Sequence, residues 1–319
     1  MSDTTNLIQL KHVYRYYGHT CALNDVSFSV GKGEVLGLLG PNGAGKSTAM
    51  QIISGNLAPS AGQVWINGVD LLDHPITAKA GLGYLPDQPP LYRELSVDEY
   101  LQYCALLNRI PSSHQRAAID TAKERCGLTE VGRRLIGNLS KGYQQRVGLA
   151  QSIIHAPAVV ILDEPTVGLD PLQMREIRGL IRELRSEHSI ILSTHILPEV
   201  QAVCDRVQII SDGKLVLNDT IDGLQLRMQA SSLLVGLRRS PSIDILQGIP
   251  GVEAVEAVSE STWRLHYRPE HNPAEQLAAE AARHDWGLYE LIPERMSLEQ
   301  VFVDITRSDP TENAEGAAA

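Results

Sequence analysis

The chain has 319 residues, 43% of them hydrophobic, and a formal net charge of −10 at pH 7. That length favours two domains over a single core. No apolar run approaches the ~18 residues that span a bilayer, and the acidic balance speaks against nonspecific nucleic-acid binding, so no nucleic-acid partner is expected. The opening residues, Met1 to Asn6, lack the basic and apolar stretches of a secretory signal. Cys21, Cys104, Cys126 and Cys204 are scattered without a C-x-x-C pair, so reduced, cytosolic thiols are expected.

Taken in chain order, apolar runs predict strands over 7–13, 23–30, 35–39, 64–66, 159–162, 190–193, 207–210 and 215–217. Asn67-Gly68 and Asp212-Gly213 are two-residue turn signals of the kind that join antiparallel neighbours. Between about 96 and 155 strand patterns vanish, and Ser96-x-x-Glu99 reads as a capping box opening a helix. This is an α/β plan with a mainly parallel sheet, an antiparallel portion and an inserted helical subdomain. Residues 223–319 then carry 15 acidic side chains against eight arginines and no lysine, a shift that places a boundary near Asp222-Gly223. Strands over 232–237, 252–258 and 262–267 and a helix over 274–284 follow. A last helix is capped by Ser297-x-x-Gln300, with Met296 and Val301 as its hydrophobic staple. The expected organisation is a first domain over 1–222, a small α+β domain over 223–307, and a disordered polar tail over 308–319.

Residues 40–48 read Gly40-Pro41-Asn42-Gly43-Ala44-Gly45-Lys46-Ser47-Thr48, the form G-x-x-x-x-G-K-[ST], between an apolar run and a helix predicted over 47–53. Glycines let backbone N–H groups turn inward to cradle anionic oxygens. Lys46 supplies a point charge for the β- and γ-phosphates, the Ser47 hydroxyl suits Mg²⁺, and the helix start adds its positive dipole end. Downstream, the apolar run 159–162 ends in Asp163-Glu164. Two carboxylates at a strand's carboxyl end fall beside such a loop in open α/β sheets. Asp163 is placed to hold Mg²⁺, through water, and Glu164 to polarise the water attacking the γ-phosphate.

Leu139-Ser140-Lys141-Gly142-Tyr143-Gln144-Gln145-Arg146 then resembles the signature segment of ABC-type ATPases, normally Leu-Ser-Gly-Gly-Gln. Ser140 and Gly142 match; Lys141 and Tyr143 depart from the pattern. Read from the residues alone, Ser140 is a helix N-cap, and the helix from about Gln144 onward offers free N–H donors to an anion. Val167-Gly168-Leu169-Asp170-Pro171 resembles the family's D-loop, although Asp170-Pro171 is equally an ordinary helix start. Ser193-Thr194-His195 resembles the switch histidine that contacts the γ-phosphate. Tyr17, with Tyr14 and Tyr16 nearby, falls where the family stacks an aromatic on adenine. The family's glutamine-loop residue aligns with Asp87, one place before Gln88, and either residue fits the role facing Mg²⁺ and water.

The resemblance covers 6–220 and implies a P-loop ABC ATPase fold. It assigns Lys46, Glu164 and His195 to catalysis and Ser47, Asp163 and Gln88 to Mg²⁺. Nucleotide contacts fall to Tyr17, residues 40–48, Asp87, Gln88, Ser140, Lys141, Gly142, Asp163 and Asp170. One phosphate loop and one signature per chain imply a dimer of two copies with two ATP molecules between them. Ser297-Leu298-Glu299-Gln300-Val301-Phe302-Val303-Asp304-Ile305-Thr306 resembles the carboxyl-terminal motif of ATPases serving ABC-2-type exporters. The wider pattern, including Leu139-Ser140-Lys141-Gly142-Tyr143 and Ser193-Thr194-His195-Ile196-Leu197-Pro198-Glu199, looks most like the gliding-motility and multidrug-export branch. The expected place is therefore the inner face of the cell membrane, docked on a separate permease. An importer ATPase or a soluble ABC ATPase is the competing reading; the carboxyl-terminal motif disfavours the first. Neither a long coiled-coil insertion nor a second cassette supports the other, and no Asn-Lys-x-Asp guanine motif points to a GTPase.

Overall fold

The computed structural model describes residues 6–227, 232–268 and 271–294. The chain divides into two compact units, Met1–Ile221 and Asp222–Ala319. The first begins with strands β1 (Asn6–Tyr17) and β2 (Thr20–Gly31), then β3 (Val35–Leu39), helix α1 (Lys46–Ile53), β4 (Ala61–Ile66), β5 (Val69–Asp70), α2 (Pro75–Ala80) and β6 (Leu82–Leu85). A helical stretch follows, made of α3 (Val97–Leu107), α4 (Ser112–Arg125), two single turns and α5 (Lys141–Ile153). The alternating pattern returns with β7 (Val159–Asp163), α6 (Pro171–Leu184), β8 (Ser189–Thr194), α7 (Leu197–Val203), β9 (Arg206–Ser211) and β10 (Lys214–Thr220).

These strands form two sheets. One is antiparallel, in the order β2-β1-β4-β5; the other has six strands, β10-β9-β3-β8-β7-β6, parallel throughout except for the β9–β10 hairpin. Continuous apolar runs suit central parallel strands because both faces are covered. Along β7 and β8, Val160, Leu162, Ile190 and Leu192 enter the core shared with the helical stretch. The alternate residues Val159, Ile161 and Ile191 join Leu36 and Leu38 in the core beneath the antiparallel sheet. The period of two thus serves two cores from one strand.

The capping box opens α3 as read from the sequence: the Ser96 hydroxyl accepts from Glu99 N, and Ser96 N donates to the Glu99 carboxylate at 2.8 Å. Three features differ from the expectation. Strand β6 was not foreseen, because Gly83 interrupts its short apolar run; parallel pairing with β7 recruits it. The hairpin of β1 and β2 runs further than predicted, to a turn at Gly18-His19. Helix α5 starts at Lys141 rather than near Gln144, since the Ser140 side chain caps the Tyr143 amide and brings Gly142 into the first turn.

Helix α8 (Ile221–Arg227) leads into the second unit, followed by β11 (Ser232–Leu237), α9 (Ile243–Gln247), β12 (Val252–Ala257), β13 (Thr262–Tyr267), α10 (Ala274–Arg283) and β14 (Leu288–Glu294). The sheet order is β12-β13-β11-β14, all antiparallel. With β13 inserted between β11 and β12, this βαββαβ chain is a split-βαβ arrangement of ferredoxin-like type. Leu233, Val235, Leu237 and Leu265 pack with Leu277 and Ala281 of α10 and with Leu246 of α9. Strand β14 escaped the sequence reading because it contains Pro293, which reads as a breaker. Pro293 is accommodated on an edge strand, opposite Leu233. The helix read from Ser297, its staple and the tail over 308–319 lie outside the described residues.

The contact between β6 and α5 leaves no room for growth: a Cβ on Gly83 would come within 2.0 Å of the Ser152 carbonyl oxygen. Gly83→Ala should lower stability by about 1–3 kcal/mol through overpacking, read as a fall in the thermal midpoint. An unchanged midpoint would contradict the close packing.

Candidate active site

Strands β3, β6, β7 and β8 run parallel, so their carboxyl ends share one edge of the sheet, where ligands bind in such folds. Register brings the individual residues together. Asp163 lies opposite Ser193, Leu85 opposite Leu162, and Leu39 opposite Thr194, so the next residues of each chain segment converge. The resulting cleft of about 350 Å³ is lined by Asn42, Gly43, Gly45, Lys46, Ser47 and Thr48, together with Ala22, Asp87, Glu164, Val167 and His195.

Gly45 stands immediately before α1 with φ 110°, and a Cβ there would lie 2.6 Å from the Ala22 carbonyl oxygen. Only glycine fits both the dihedral and the space. Lys46 follows in the first turn and is 5% exposed. Its ammonium donates to the carbonyls of Gly40 at 2.8 Å and Pro41 at 3.1 Å, and lies 3.8 Å from Glu164 Oε1. An ammonium has three N–H donors, so one remains for an incoming anion. Burial pushes the Lys46 pKa down, while the Glu164 and Asp163 carboxylates push back. Ala44 is buried in the loop, and its amide donates to the Pro41 carbonyl at 3.2 Å.

Asp163 is 4% exposed and accepts the Ser193 hydroxyl. Burial raises its pKa and Asp87 raises it further, while hydrogen bonds from Ser193 and Ser47 and the Lys46 charge act the other way. Glu164 sits one residue on, with φ 48°, a left-handed conformation that non-glycine residues seldom take. Its amide donates to the Ser193 carbonyl at 3.1 Å, and His195 Nδ1 lies 3.0 and 3.1 Å from its two carboxylate oxygens. A carboxylate, an imidazole and a buried ammonium thus meet beside a Ser–Asp oxygen pair. The arrangement can neutralise a polyphosphate and hold a water molecule against it.

Other residues read from the sequence lie elsewhere. Gln88 lines a neighbouring pocket of about 520 Å³ with Lys141, Gln144, Gln145 and Val167, whereas Asp87 borders both spaces. Of the two alternatives, Asp87 borders the Lys46 cleft and Gln88 lines only the neighbouring pocket. Ser140 and Lys141 are exposed at the start of α5, and none of Ser140, Lys141 and Gly142 lines the Lys46 cleft. The Lys141 side chain lies over Gly168, in the space a Cβ would need. Asp170 caps α6, accepting from the amides of Leu172 at 3.0 Å and Gln173 at 2.9 Å. Tyr17 is 46% exposed, its ring 4.7 Å from the Arg15 guanidinium, and it is absent from the cleft lining. Ser193 was not foreseen as a partner of Asp163; its only sequence signal is a hydroxyl residue at the polar end of an apolar strand.

A family model described as ABC transporter matches residues 23–167. The ABC transporter ATP-binding protein NatA of Bacillus subtilis (strain 168) is 37% identical over 205 residues, covering 64% of this chain and 83% of that protein. The linearmycin resistance ATP-binding protein LnrL of the same organism is 28% identical over 305 residues, covering 94% and 98% respectively. Among solved structures, a dimeric ATP-binding cassette in a post-hydrolysis state, bound to ADP and Pi, superposes with a TM-score of 0.61. It covers 67% of this chain and 98% of that one at 23% identity, a likeness of fold. The chain belongs to the ABC transporter ATP-binding proteins, and is an ATPase that binds and hydrolyses ATP.

Proposed function

We infer that the chain is the ATPase subunit of an exporter, that it closes as a dimer of two copies around two ATP molecules, and that it drives a separate permease of ABC-2 type. One observation carries the reading: the signature segment lies outside the cleft, as a half-site would require. Lys46, Ser47, Glu164 and His195 share the cleft, while Ser140–Gly142 stand outside it at a helix start whose first two residues are exposed. A capped helix N-terminus outside its own nucleotide cleft is suited to the γ-phosphate held by another copy. The solved cassette noted above is itself dimeric.

Lys46 neutralises the β- and γ-phosphates, and the backbone of 40–45 wraps them. Glu164 accepts a proton of the attacking water, and His195, bound to the same carboxylate, fixes its orientation. Ser47 and Asp163 supply hard oxygen ligands that suit Mg²⁺. Among the described residues no cluster of three or more His, Cys, Asp or Glu could hold a metal. The ion would therefore be shared with phosphate oxygens, and when bound it neutralises their charge. Asp87, rather than Gln88, is the glutamine-loop residue bordering this place.

A permease partner is supported from two sides. No described helix is long and apolar enough to cross a membrane. Leu72, Ile76, Leu106 and Leu107 are exposed, Ile76 by 75%. Ile76 and Leu107 line one open pocket between α2 and the end of α3, an apolar surface of the kind that marks a protein interface. The resistance named for LnrL and the carboxyl-terminal motif favour export, in the gliding-motility and multidrug-export branch, with the subunit held at the cytoplasmic face. The second unit regulates closure or strengthens dimerisation in this reading.

Lys46→Ala should abolish ATP binding measured with a fluorescent analogue, since the loop loses its only buried cation; unchanged affinity and turnover would refute the assignment. Glu164→Gln should bind ATP normally yet hydrolyse roughly 10²-fold more slowly or worse. ATP should then drive this variant to the dimer position on size-exclusion chromatography, whereas a wild-type rate would move the catalytic role elsewhere. Ser140→Arg should block turnover while sparing ATP binding. Mixed with Lys46→Ala subunits, it should regain one composite site at most. Full rescue, or none together with strictly independent behaviour, would defeat the shared-site dimer.

A further inference from the structure

Glu199, on α7, is 1% exposed, and its two carboxylate oxygens serve two different loops. One oxygen accepts the Thr166 hydroxyl; the other accepts the Thr194 hydroxyl at 2.8 Å. Arg178, from α6, lies 3.6 Å from the first oxygen. A buried carboxylate is costly unless hydrogen-bonded and paired, and here hydroxyls and cation together meet that need. The placement of the hydroxyls is what matters. Thr166 lies two residues after Glu164, and Thr194 immediately precedes His195. Both threonines are buried. Thr194 Oγ1 also accepts from the Ile196 amide at 3.1 Å, fixing the loop that leaves β8.

Glu164 holds a left-handed backbone that persists only where its surroundings over-determine it. Two cross-links between the same loops flank it. On one side, Glu164 N donates to the Ser193 carbonyl and the Ser193 hydroxyl to Asp163. On the other, Glu199 joins Thr166 to Thr194. We propose that Glu199 is a positioning residue for ATP hydrolysis: it clamps the Glu164 turn to the His195 loop, so that the carboxylate and imidazole keep their 3.0–3.1 Å contact during turnover. This rests on the reading of Glu164 as the group that orients the attacking water. Glu199 touches neither nucleotide nor water and acts through Glu164 and His195. The carboxylate accepts from both hydroxyls, whereas an amide would set an NH₂ donor against one of them and force that hydroxyl to turn and accept.

The test is steady-state ATPase kinetics on the full chain for Glu199→Gln, alone and combined with Glu164→Gln. Alone, it should lower kcat about 10-fold or more, since small misplacements of reacting groups cost this much, with KM for ATP and analogue affinity held within about two-fold. In the Glu164→Gln background it should cause no further loss, because the group it positions is already gone. Equal fractional losses in both backgrounds would reduce Glu199 to a structural residue and overturn the proposal, as would an unchanged kcat or a raised KM with kcat retained. Should Glu199→Gln fail to fold, as read by thermal melting, Thr166→Val removes one tether at constant shape and is judged by the same criteria. Full turnover by Glu164→Gln alone would sink the underlying reading and this proposal with it. A slow Glu164→Gln beside a normal Glu199→Gln would sink the proposal alone.

Discussion

Everything at the site depends on parallel strands that are covered on both faces and end together. Because β3, β6, β7 and β8 share direction and register, four loops with no sequence proximity leave the sheet at one edge. Their backbones are fixed by two hydrophobic cores, one on each side. Chemistry can then be assembled from single residues at strand ends, each inheriting its position from apolar residues just before it. Asp163 is the last residue of a wholly buried strand, and Thr194 of another.

The same geometry sets the electrostatics. Lys46, Asp163 and Glu199 are nearly withdrawn from water, a placement that disfavours charge unless partners are built in. Each has them: loop carbonyls and Glu164 for Lys46, Ser193 and Ser47 for Asp163, two threonines and Arg178 for Glu199. The partners that hold these charges all come from the chain itself. Such preorganisation is what allows dipoles and charges to stabilise a transition state without reorganising. The left-handed Glu164 is its most visible trace in the backbone.

Legibility in the sequence followed the range of the interactions. The phosphate loop is contiguous and each of its residues answers a local demand, so residues 40–48 could be read directly. Asp163-Glu164 and the capping box at Ser96 are local in the same sense. Strand β6 was hidden because its place is set by pairing with a strand more than seventy residues away, while Gly83 weakens its own pattern. The choice between Asp87 and Gln88 turns on loop geometry that composition does not encode. Glu199 closes the Ser193–Glu199 stretch that carries part of the resemblance, but its link to Thr166, 33 positions away, exists only in the folded chain. In the second unit, Pro293 disguised a strand as a loop.

That proline has a wider meaning for how the second unit meets other chains. Among the described residues its sheet is open at both ends, at β12 and β14, and an open edge is a template for adding a foreign strand. On β14, Pro293 removes a donor from the row of amides, while Glu294 is paired with Arg264 at 2.7 Å. On β12, Glu253 and Glu256 are paired with Arg268 and Arg264. Two copies approaching through the β14 edge meet a ladder with a missing rung. For the dimer of two copies proposed above, the β14 border of this sheet resists fusing by backbone pairing.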